Sequence, residues 1–202
     1  MHPDRPGVPV EVVFDPNWWH RNYGISFDRP FYFDPPTLVE NDLRMRKALH
    51  ERFGLGESKP EARPIVGSMY IAGGFIVPAL LGVELRFFPD RNPWPLIANL
   101  GRKEILRLRP PEIENTWPMT ELIRTMDALD AQFGYLVGDF NAGGILNNAL
   151  DLRGQQLFVD MLEDRELVEH LFSVAGETQA RVMEYVKRRT GTSSIAVNRS
   201  IL

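Results

Sequence analysis

The alternation of short apolar runs with longer segments of helical period most constrains what this chain can fold into. Runs of strand length occupy Val8 to Phe14, Ile65 to Ile71, Tyr135 to Phe140 and Ser193 to Val197. Apolar side chains recur every three or four residues between them, as from Met119 to Phe133. Strands that are separated by helices, without a succession of hairpins, pair in parallel. The sequence therefore predicts an α/β fold with a parallel sheet.

Helices are predicted where the period of 3.6 residues is clear. They run from an entry at Pro35 and Pro36 to Phe53, from Phe75 to Leu81, from Met119 to Phe133, from Gly144 through Leu150, from Gln155 to Leu162 and from Asp164 to Arg189. Gly54 and Gly134 end two of these helices. Glu84 to Phe88 is predicted to be a short strand that the turn of Pro89 to Pro93 closes. The aromatic stretch after Asp15 to Asn17 is predicted to be a loop.

Length and composition predict one domain, residues 1–202, because 44% hydrophobic content suffices for a real core. Basic and acidic residues are intermixed and the net charge is −4, which argues against nucleic acid or anionic lipid as a partner. The chain has no cysteine, so disulfides, thiolate zinc ligands and a thiol nucleophile are excluded within it. With no signal-like or membrane-length apolar run, a cytoplasmic protein without membrane contact is expected.

Polar residues at strand ends are the first candidate site. Asp139 and Asn141 follow the clearest strand and share a parity, so they face the same way and could hold a polar ligand. The alternative is that Asp139 caps the helix that follows. Gly143 and Gly144 resemble an anion-binding turn, with simple packing as the alternative. Asn198 and Arg199 end the last predicted strand and could contact a ligand, although the nearby terminus makes disorder the competing interpretation.

The aromatic loop supplies the second set of candidates. His20, Arg21 and Tyr23 could recognise an anion or handle a proton, because histidine titrates near neutrality and arginine makes forked bonds to carboxylates. A histidine bound to the backbone is the alternative. Trp18 and Trp19 could stack on a flat ring ligand or could instead cover the core.

Several stretches resemble the uroporphyrinogen decarboxylase-like superfamily of porphyrinogen decarboxylases and corrinoid-dependent methyltransferases. PALLGVELRFFPD, Pro78 to Asp90, resembles its P-x-x-L-G-x-E segment. VGDFNAGGILNNALDLRG, Val137 to Gly154, resembles its strand-to-helix junction, and LEDRELVEHLF, Leu162 to Phe172, the helix that follows. Trp18 to Gly24 is similar to the aromatic opening of the methyltransferase-like branch.

The resemblance implies a partial TIM (β/α) barrel with parallel strands that lacks the later strands of the barrel, since a whole barrel needs roughly 250 residues. Its mouth would be built from the loop after Phe14, the turn after Ile71, the turn from Asp139 to Gly144, and Asn198 with Arg199. The expected catalytic residues are His20, Arg21 and Asp139. Trp18, Trp19, Tyr23, Asn141, Asn198 and Arg199 are the expected ligand contacts.

Departures from the family pattern bear on the chemistry. Decarboxylases of the family carry an acidic residue where Gly73 stands here, and an arginine-rich first loop where Arg21 stands alone among aromatics. The resemblance therefore favours a methyltransferase-like branch over porphyrinogen decarboxylation. That branch binds zinc through a His-x-Cys and a distant Cys in its later half, which this chain lacks, so zinc or a corrinoid partner is expected only in a longer protein.

Two functions from different classes follow. The first is an enzyme of this superfamily, methyltransferase-like or decarboxylase-like, that binds a tetrapyrrole, a corrinoid or a small carboxylated ligand at the barrel mouth, although the isolated chain could be inactive. The second is a non-catalytic truncated barrel that acts as an assembly module, as a homo-oligomer or with a chain that completes the barrel, because an unclosed sheet exposes edges and apolar faces.

Overall fold

The structure is a computed structural model that describes residues 14–67, 74–138 and 140–191. Its helices are α1 (Pro16–Tyr23), α2 (Arg29–Phe33), α3 (Pro35–Phe53), α4 (Ile76–Leu80), α5 (Arg102–Ile105), α6 (Met119–Phe133), α7 (Ile145–Arg153), α8 (Gln156–Glu163) and α9 (Arg165–Thr190), with a 3-10 turn at Ile113–Asn115. Its strands are β1 (Ile65–Val66), β2 (Leu85–Phe88), β3 (Arg91–Pro95) and β4 (Val137–Gly138).

Most helices lie where the sequence predicts them. The predictions for α3, α4, α6, α8 and α9 are confirmed to within two residues at each end, and α7 extends three residues beyond its predicted end. Gly54 and Gly134 follow α3 and α6 with φ of 66° and 77°, the left-handed conformation that ends a helix. The strong signals were a sustained apolar period and a glycine just beyond it.

The predicted aromatic loop is wrong, because this segment forms α1 and α2. The Asp15 carboxylate accepts a hydrogen bond from the Trp18 amide at 2.8 Å, and Pro16 occupies the first helical position. An aspartate followed by proline is a local helix start that needs no long apolar period. Gly24, with φ of 63°, then ends α1.

The described strands form two small sheets. β1 pairs in parallel with β4, with Ile65 opposite Val137 and Val66 opposite Gly138. β2 and β3 form an antiparallel hairpin, which corrects the prediction that the chain simply turns after Phe88. The sequence did not predict β3 because the strand contains Pro93 and Pro95. Proline is uncommon in strands and is tolerated mainly in edge strands.

The architecture is a helix-rich α/β arrangement with a small parallel sheet, and no closed barrel is seen in the ranges that the structure describes. Phe14 is not in a strand. The other residues of the predicted strand from Val8, the end of the strand predicted to reach Ile71, and the strand predicted from Ser193 to Val197 lie outside the described residues.

Two apolar clusters form the core. The first, the aromatic cluster, joins α1, α2, α3 and α6, and its most deeply buried large side chains are Trp19, Phe27, Phe31, Tyr32, Met45 and Met126. The second, the α7 cluster, packs α4 and α5 against α7, α8 and α9, and includes Val77, Ile105, Ala149, Leu152, Leu157 and Leu171. The parallel strands lie beside the first cluster, to which Val66 belongs, and α7 follows the end of β4.

A buried ion pair fastens the segment before β1 to α3. Asp42, 1% exposed, accepts hydrogen bonds from Arg46 at 2.8 Å and from Arg63 at 2.9 and 3.0 Å. Arg46 also donates to Glu57 at 3.2 Å and to the carbonyl of Glu61. The two guanidinium groups therefore neutralise the buried carboxylate, and the chain enters β1 from a fixed position.

Candidate functional site

The carboxyl ends of β1 and β4 are brought together by a glycine. Gly138 has φ of 102°, and a methyl group built on it would overlap the carbonyl oxygen of Val66. Only glycine lets the two strand backbones approach this closely at such a φ. The chain segments that leave the two strands therefore begin side by side.

The two parts of the chain also touch at a second pair of glycines. Gly74 and Gly143 touch backbone to backbone, because a methyl on either glycine would lie 3.3 to 3.4 Å from the Cα of the other. The side-chain oxygen of Asn141 accepts a hydrogen bond from the Gly143 amide at 2.8 Å, which closes a tight side-chain turn. We call the segment of Asn141, Ala142, Gly143 and Gly144, together with Gly74, the glycine rim.

A buried amide supports the glycine rim from below. Asn148 is fully buried, and its side-chain nitrogen donates to the carbonyl of Ala142 at 3.1 Å. Within the described ranges no donor reaches its side-chain oxygen, which lies 3.0 Å from where a methyl of Gly143 would stand. A buried oxygen without a donor costs free energy, and such groups concentrate at functional positions.

The start of α7 adds hydrogen-bond donors to the rim. Gly144 caps the helix without a side chain, so no cap side chain satisfies the first backbone N–H groups of α7. Such groups, reinforced by the helix dipole, attract anionic oxygens. The glycine rim thus offers donors from α7 and acceptors from the Asn141 and Asn148 amides.

Asp151 lies one helical turn beyond Asn148 on α7. Burial raises the pKa of Asp151 to about 6, and no charged group is among the causes. A carboxyl group with a pKa near neutrality can carry a proton under physiological conditions and is a general acid or base candidate. Sequence analysis missed both Asn148 and Asp151, although their spacing of three residues puts them on one face of α7 and was a usable signal.

The predicted aromatic contacts lie in and around the aromatic cluster. Trp19 is 1% exposed and packs edge-on against Trp18, with ring centroids 4.9 Å apart. Trp18 is half-buried, stacks on Phe14 at 4.2 Å and has the Arg52 guanidinium over its ring at 5.3 Å. The ring centroid of Tyr23 lies 5.5 Å from the ring centroids of both tryptophans. This packing favours the core interpretation for Trp19 and leaves part of Trp18 facing solvent.

The predicted proton-handling pair lies on α1. The Nδ1 atom of His20 is 3.1 Å from the carbonyl oxygen of Ile25, the backbone contact that sequence analysis held as the alternative. Arg21 is exposed on the same helix. Hydrogen bonding with Arg91 lowers the pKa of Asp90, and the charge of His20 contributes in the same direction. His20 therefore lies near the turn of the β2–β3 hairpin.

The remaining predicted residues divide between the rim and the undescribed parts. Asn141 lies in the glycine rim, whereas Asp139, Asn198 and Arg199 lie outside the described residues, as does Gly73. Trp18 contacts Phe53 and the carbonyl of Tyr23 accepts a hydrogen bond from Arg44, both on α3, whereas Asn141 bonds to Gly143. A shared rim for these two groups stays a prediction.

The described ranges show neither a metal-binding cluster nor a membrane-spanning helix. They contain no group of three or more histidine, aspartate or glutamate side chains placed to hold a metal ion. None of their helices combines the length and apolar character needed to cross a bilayer.

Comparison with known proteins gives a single kind of support. No family model matches the sequence, and no curated protein is significantly similar to it. Among solved structures, the chain is similar to a methyltransferase from Methanosarcina mazei, with a TM-score of 0.54 and 15% sequence identity. The match covers 88% of this chain and 52% of that one, so the chain spans about half the length of the methyltransferase. The likeness shows a shared fold.

Proposed function

We propose that this chain is a methyltransferase-like member of the uroporphyrinogen decarboxylase-like superfamily, and that it binds a tetrapyrrole, a corrinoid or a small carboxylated molecule at the glycine rim. The observation that carries the proposal is the parallel pairing of β1 with β4, whose carboxyl ends open onto this rim. Ligands of α/β proteins bind at the carboxyl ends of parallel strands. The fold shared with a methyltransferase supports the same assignment.

The rim residues suit a ligand with a carboxylate. The first N–H groups of α7 would bind its oxygens, and the amides of Asn141 and Asn148 would orient groups that donate hydrogen bonds. Asp151 would stay partly protonated near neutral pH and could exchange a proton with the bound molecule. Asp139 lies two residues before Asn141 in sequence, and we propose it as a further contact, with His20 and Arg21 supplying charge from α1.

Thiolate-bound zinc does not fit this chain. The donor set lacks cysteine altogether, and the described ranges bring no three metal-ligating side chains together. The zinc of the methyltransferase branch would therefore be held by residues outside these 202 residues. Within the chain, the proposed work is binding and orientation of the ligand.

Direct titration tests the proposed ligand. Tryptophan fluorescence and the visible absorbance of the ligand would be followed while hydroxocobalamin, methylcobalamin or uroporphyrin is added to the purified chain. We expect saturable binding of at least one compound, and Asn141→Ala should weaken it about tenfold, the effect of about 1.4 kcal/mol.

Asn115→Ala is the matched control, because Asn115 is an exposed asparagine at the 3-10 turn, away from the rim. Circular dichroism would show that both variants keep their helix content. If none of the three compounds binds, the tetrapyrrole and corrinoid proposals are wrong, and if Asn141→Ala binds as tightly as the control, the proposed location at the glycine rim is wrong.

The second candidate function is that of a non-catalytic assembly module, and the exposed surface of α8 favours it. The outer face of α8 carries exposed apolar side chains, and Leu162 is 89% exposed. Apolar patches of this kind mark protein–protein contacts. A chain that associates through α8 and binds none of the ligands above would fit this second function.

A further inference from the structure

The start of α7 leaves backbone donors free. The first hydrogen bond of this helix runs from the Asn148 amide to the carbonyl of Gly144 at 3.0 Å. In the described ranges the amides of Ile145, Leu146 and Asn147 therefore have no acceptor. All three residues are exposed, so the helix start is open to a ligand. Three parallel N–H groups at the positive end of a helix are suited to bind the oxygens of an anion.

The side chain of Asn148 gives a second, independent indication of a ligand. Asn148 is fully buried, and its side-chain oxygen meets no donor in the described part of the chain. A methyl group on Gly143 would stand 3.0 Å from this oxygen, so the oxygen lies directly under the glycine rim. Residues 141–144, which cover it, belong to neither a helix nor a strand. A ligand that displaces this turn and carries an N–H group would supply the missing donor.

The charge of the rim narrows the chemistry of that ligand. The sequence has no charged residue from Gly74 to Leu81 or from Phe140 to Leu150. A helix start carries about half a positive charge, which suits one carboxylate, whereas a phosphate dianion would find no basic side chain in these segments. The Asn148 oxygen is neutral, so an ammonium group buried beside it would lack a compensating carboxylate. The matching donor is therefore an uncharged N–H.

We propose that the glycine rim binds a small molecule in which a carboxylate and an uncharged amide N–H lie close together, as in an N-acyl amino acid. The free amides of α7 bind the carboxylate, and the Asn148 oxygen accepts the amide N–H. This inference deepens the first candidate function and rests on its placement of the ligand at the glycine rim. Among the ligands proposed there, it selects the small carboxylated molecule.

Three compounds of nearly equal size test both contacts by isothermal titration calorimetry on the unmodified chain. N-acetylglycine carries the carboxylate and the amide N–H, and we expect saturable binding of one molecule per chain. Acetoxyacetate has an ester oxygen in place of the N–H, and N-acetylglycinamide has a carboxamide in place of the carboxylate. Each should bind at least about tenfold more weakly, because a buried acceptor or the free N–H groups then stay unpaired.

The compound series needs no change at Asn148, whose substitution would also remove its hydrogen bond to Ala142. If N-acetylglycine does not bind, or if either analogue binds as tightly as N-acetylglycine, the proposal is overturned.

A variant at the first residue of α7 tests the carboxylate contact separately. Ile145→Pro removes one free N–H at the helical position where proline is best tolerated. Gly144 has φ of −91° and ψ of 145°, the extended conformation that a following proline requires. We expect Ile145→Pro to bind N-acetylglycine at least about fivefold more weakly than the unmodified chain.

Ile145→Ala is the matched control, because it shortens the same side chain and keeps the N–H. It should bind N-acetylglycine as the unmodified chain does, and circular dichroism should show the same helix content in both variants. Equal binding by the two variants would overturn the placement of the carboxylate at the start of α7.

The result is separable from the test of the first candidate function. If a cobalamin or uroporphyrin binds and N-acetylglycine does not, this inference fails and the proposed tetrapyrrole or corrinoid ligand stands. If N-acetylglycine binds with the expected order of analogues and none of the larger compounds binds, the tetrapyrrole and corrinoid proposals fail and this inference stands.

Discussion

The polar groups described beside the two core clusters differ in how they are satisfied. Beside the aromatic cluster, the buried carboxylate of Asp42 is bound by Arg46 and Arg63. Around the α7 cluster, Asn148 keeps a buried oxygen for which the described ranges supply no donor, and Asp151 is a half-buried acid whose pKa is raised by burial. The apolar outer face of α8 belongs to the same side of the molecule.

This contrast separates stability from function. Paired charges and close aromatic packing hold the fold and gain nothing from a ligand. The Asn148 oxygen, the Asp151 carboxyl and the exposed apolar face of α8 each lower the stability of the isolated chain. Natural proteins retain such groups mainly where a ligand or partner removes the loss of stability. The glycine rim and α8 are therefore better candidates for function than the tryptophans of α1.

The aromatic cluster should show the largest loss of stability on truncation. Trp19→Ala is expected to lower the free energy of unfolding by about 3–5 kcal/mol, because it empties a site that is 1% exposed. Trp18→Ala should cost about 1–2 kcal/mol, because Trp18 is only half-buried. Urea denaturation followed by circular dichroism measures both.

The same pair of variants tests the stacking-wall hypothesis for the tryptophans. If Trp19→Ala left stability unchanged and abolished ligand binding, the core interpretation would fail and Trp19 would return as a ligand contact. Equal losses in both variants would show that Trp18 is buried more deeply than its position on α1 indicates.

Near the glycine rim, a substitution should lower stability by disturbing the close approach of the β1 and β4 backbones. Gly138→Ala is expected to destabilise the chain by about 2–4 kcal/mol, because the new methyl overlaps the carbonyl of Val66 and φ is 102°. Gly144→Ala is the control: its φ is −91° and the nearest atom to a new methyl is 3.8 Å away. Thermal unfolding of both variants would measure the difference, and a stable Gly138→Ala would contradict the close β1–β4 pairing.

Sequence patterns were sufficient where one local signal decided the outcome. The apolar period of Met119 to Phe133 and the glycine after it located α6, because helix formation there needs no information from distant residues. The strand before the glycine rim was also detected, although only Val137 and Gly138 of the predicted Tyr135 to Phe140 pair within the described ranges.

Sequence patterns did not predict features that depend on contacts between residues distant in the sequence. Burial of Trp19 depends on packing against the rest of the aromatic cluster, so residue type alone left its two interpretations open. The exposure of Leu162 is similar, since the apolar period of α8 does not tell which of its two apolar faces meets the core. Asp151 acquires its pKa from burial, which no spacing of charges in the sequence records.

The smallest expected effect on stability is the pH dependence caused by Asp151, and its sign follows from the raised pKa of this group. Burial raises the pKa of Asp151 from an ordinary value of 3.8 to about 6, so the folded chain holds this proton more tightly than the unfolded chain. Stability from this group is present in acid and is lost as the pH rises from about 4 through about 6. Asp151→Asn removes the dependence, and the variant should gain on the unmodified chain over this window, by no more than about 1 kcal/mol because the carboxyl is half-exposed.

Asp160 on α8 supplies the opposite sign in the same part of the molecule. Hydrogen bonding with Arg153 lowers the pKa of Asp160, so its contribution is present at neutral pH and is lost in acid. Urea unfolding of Asp151→Asn and Asp160→Asn at several pH values should give differences from the unmodified chain that change in opposite directions. If both differences followed the same trend, Asp151 would be an ordinary surface acid, and the α7 cluster would lose the perturbed acid on which the contrast with the aromatic cluster depends.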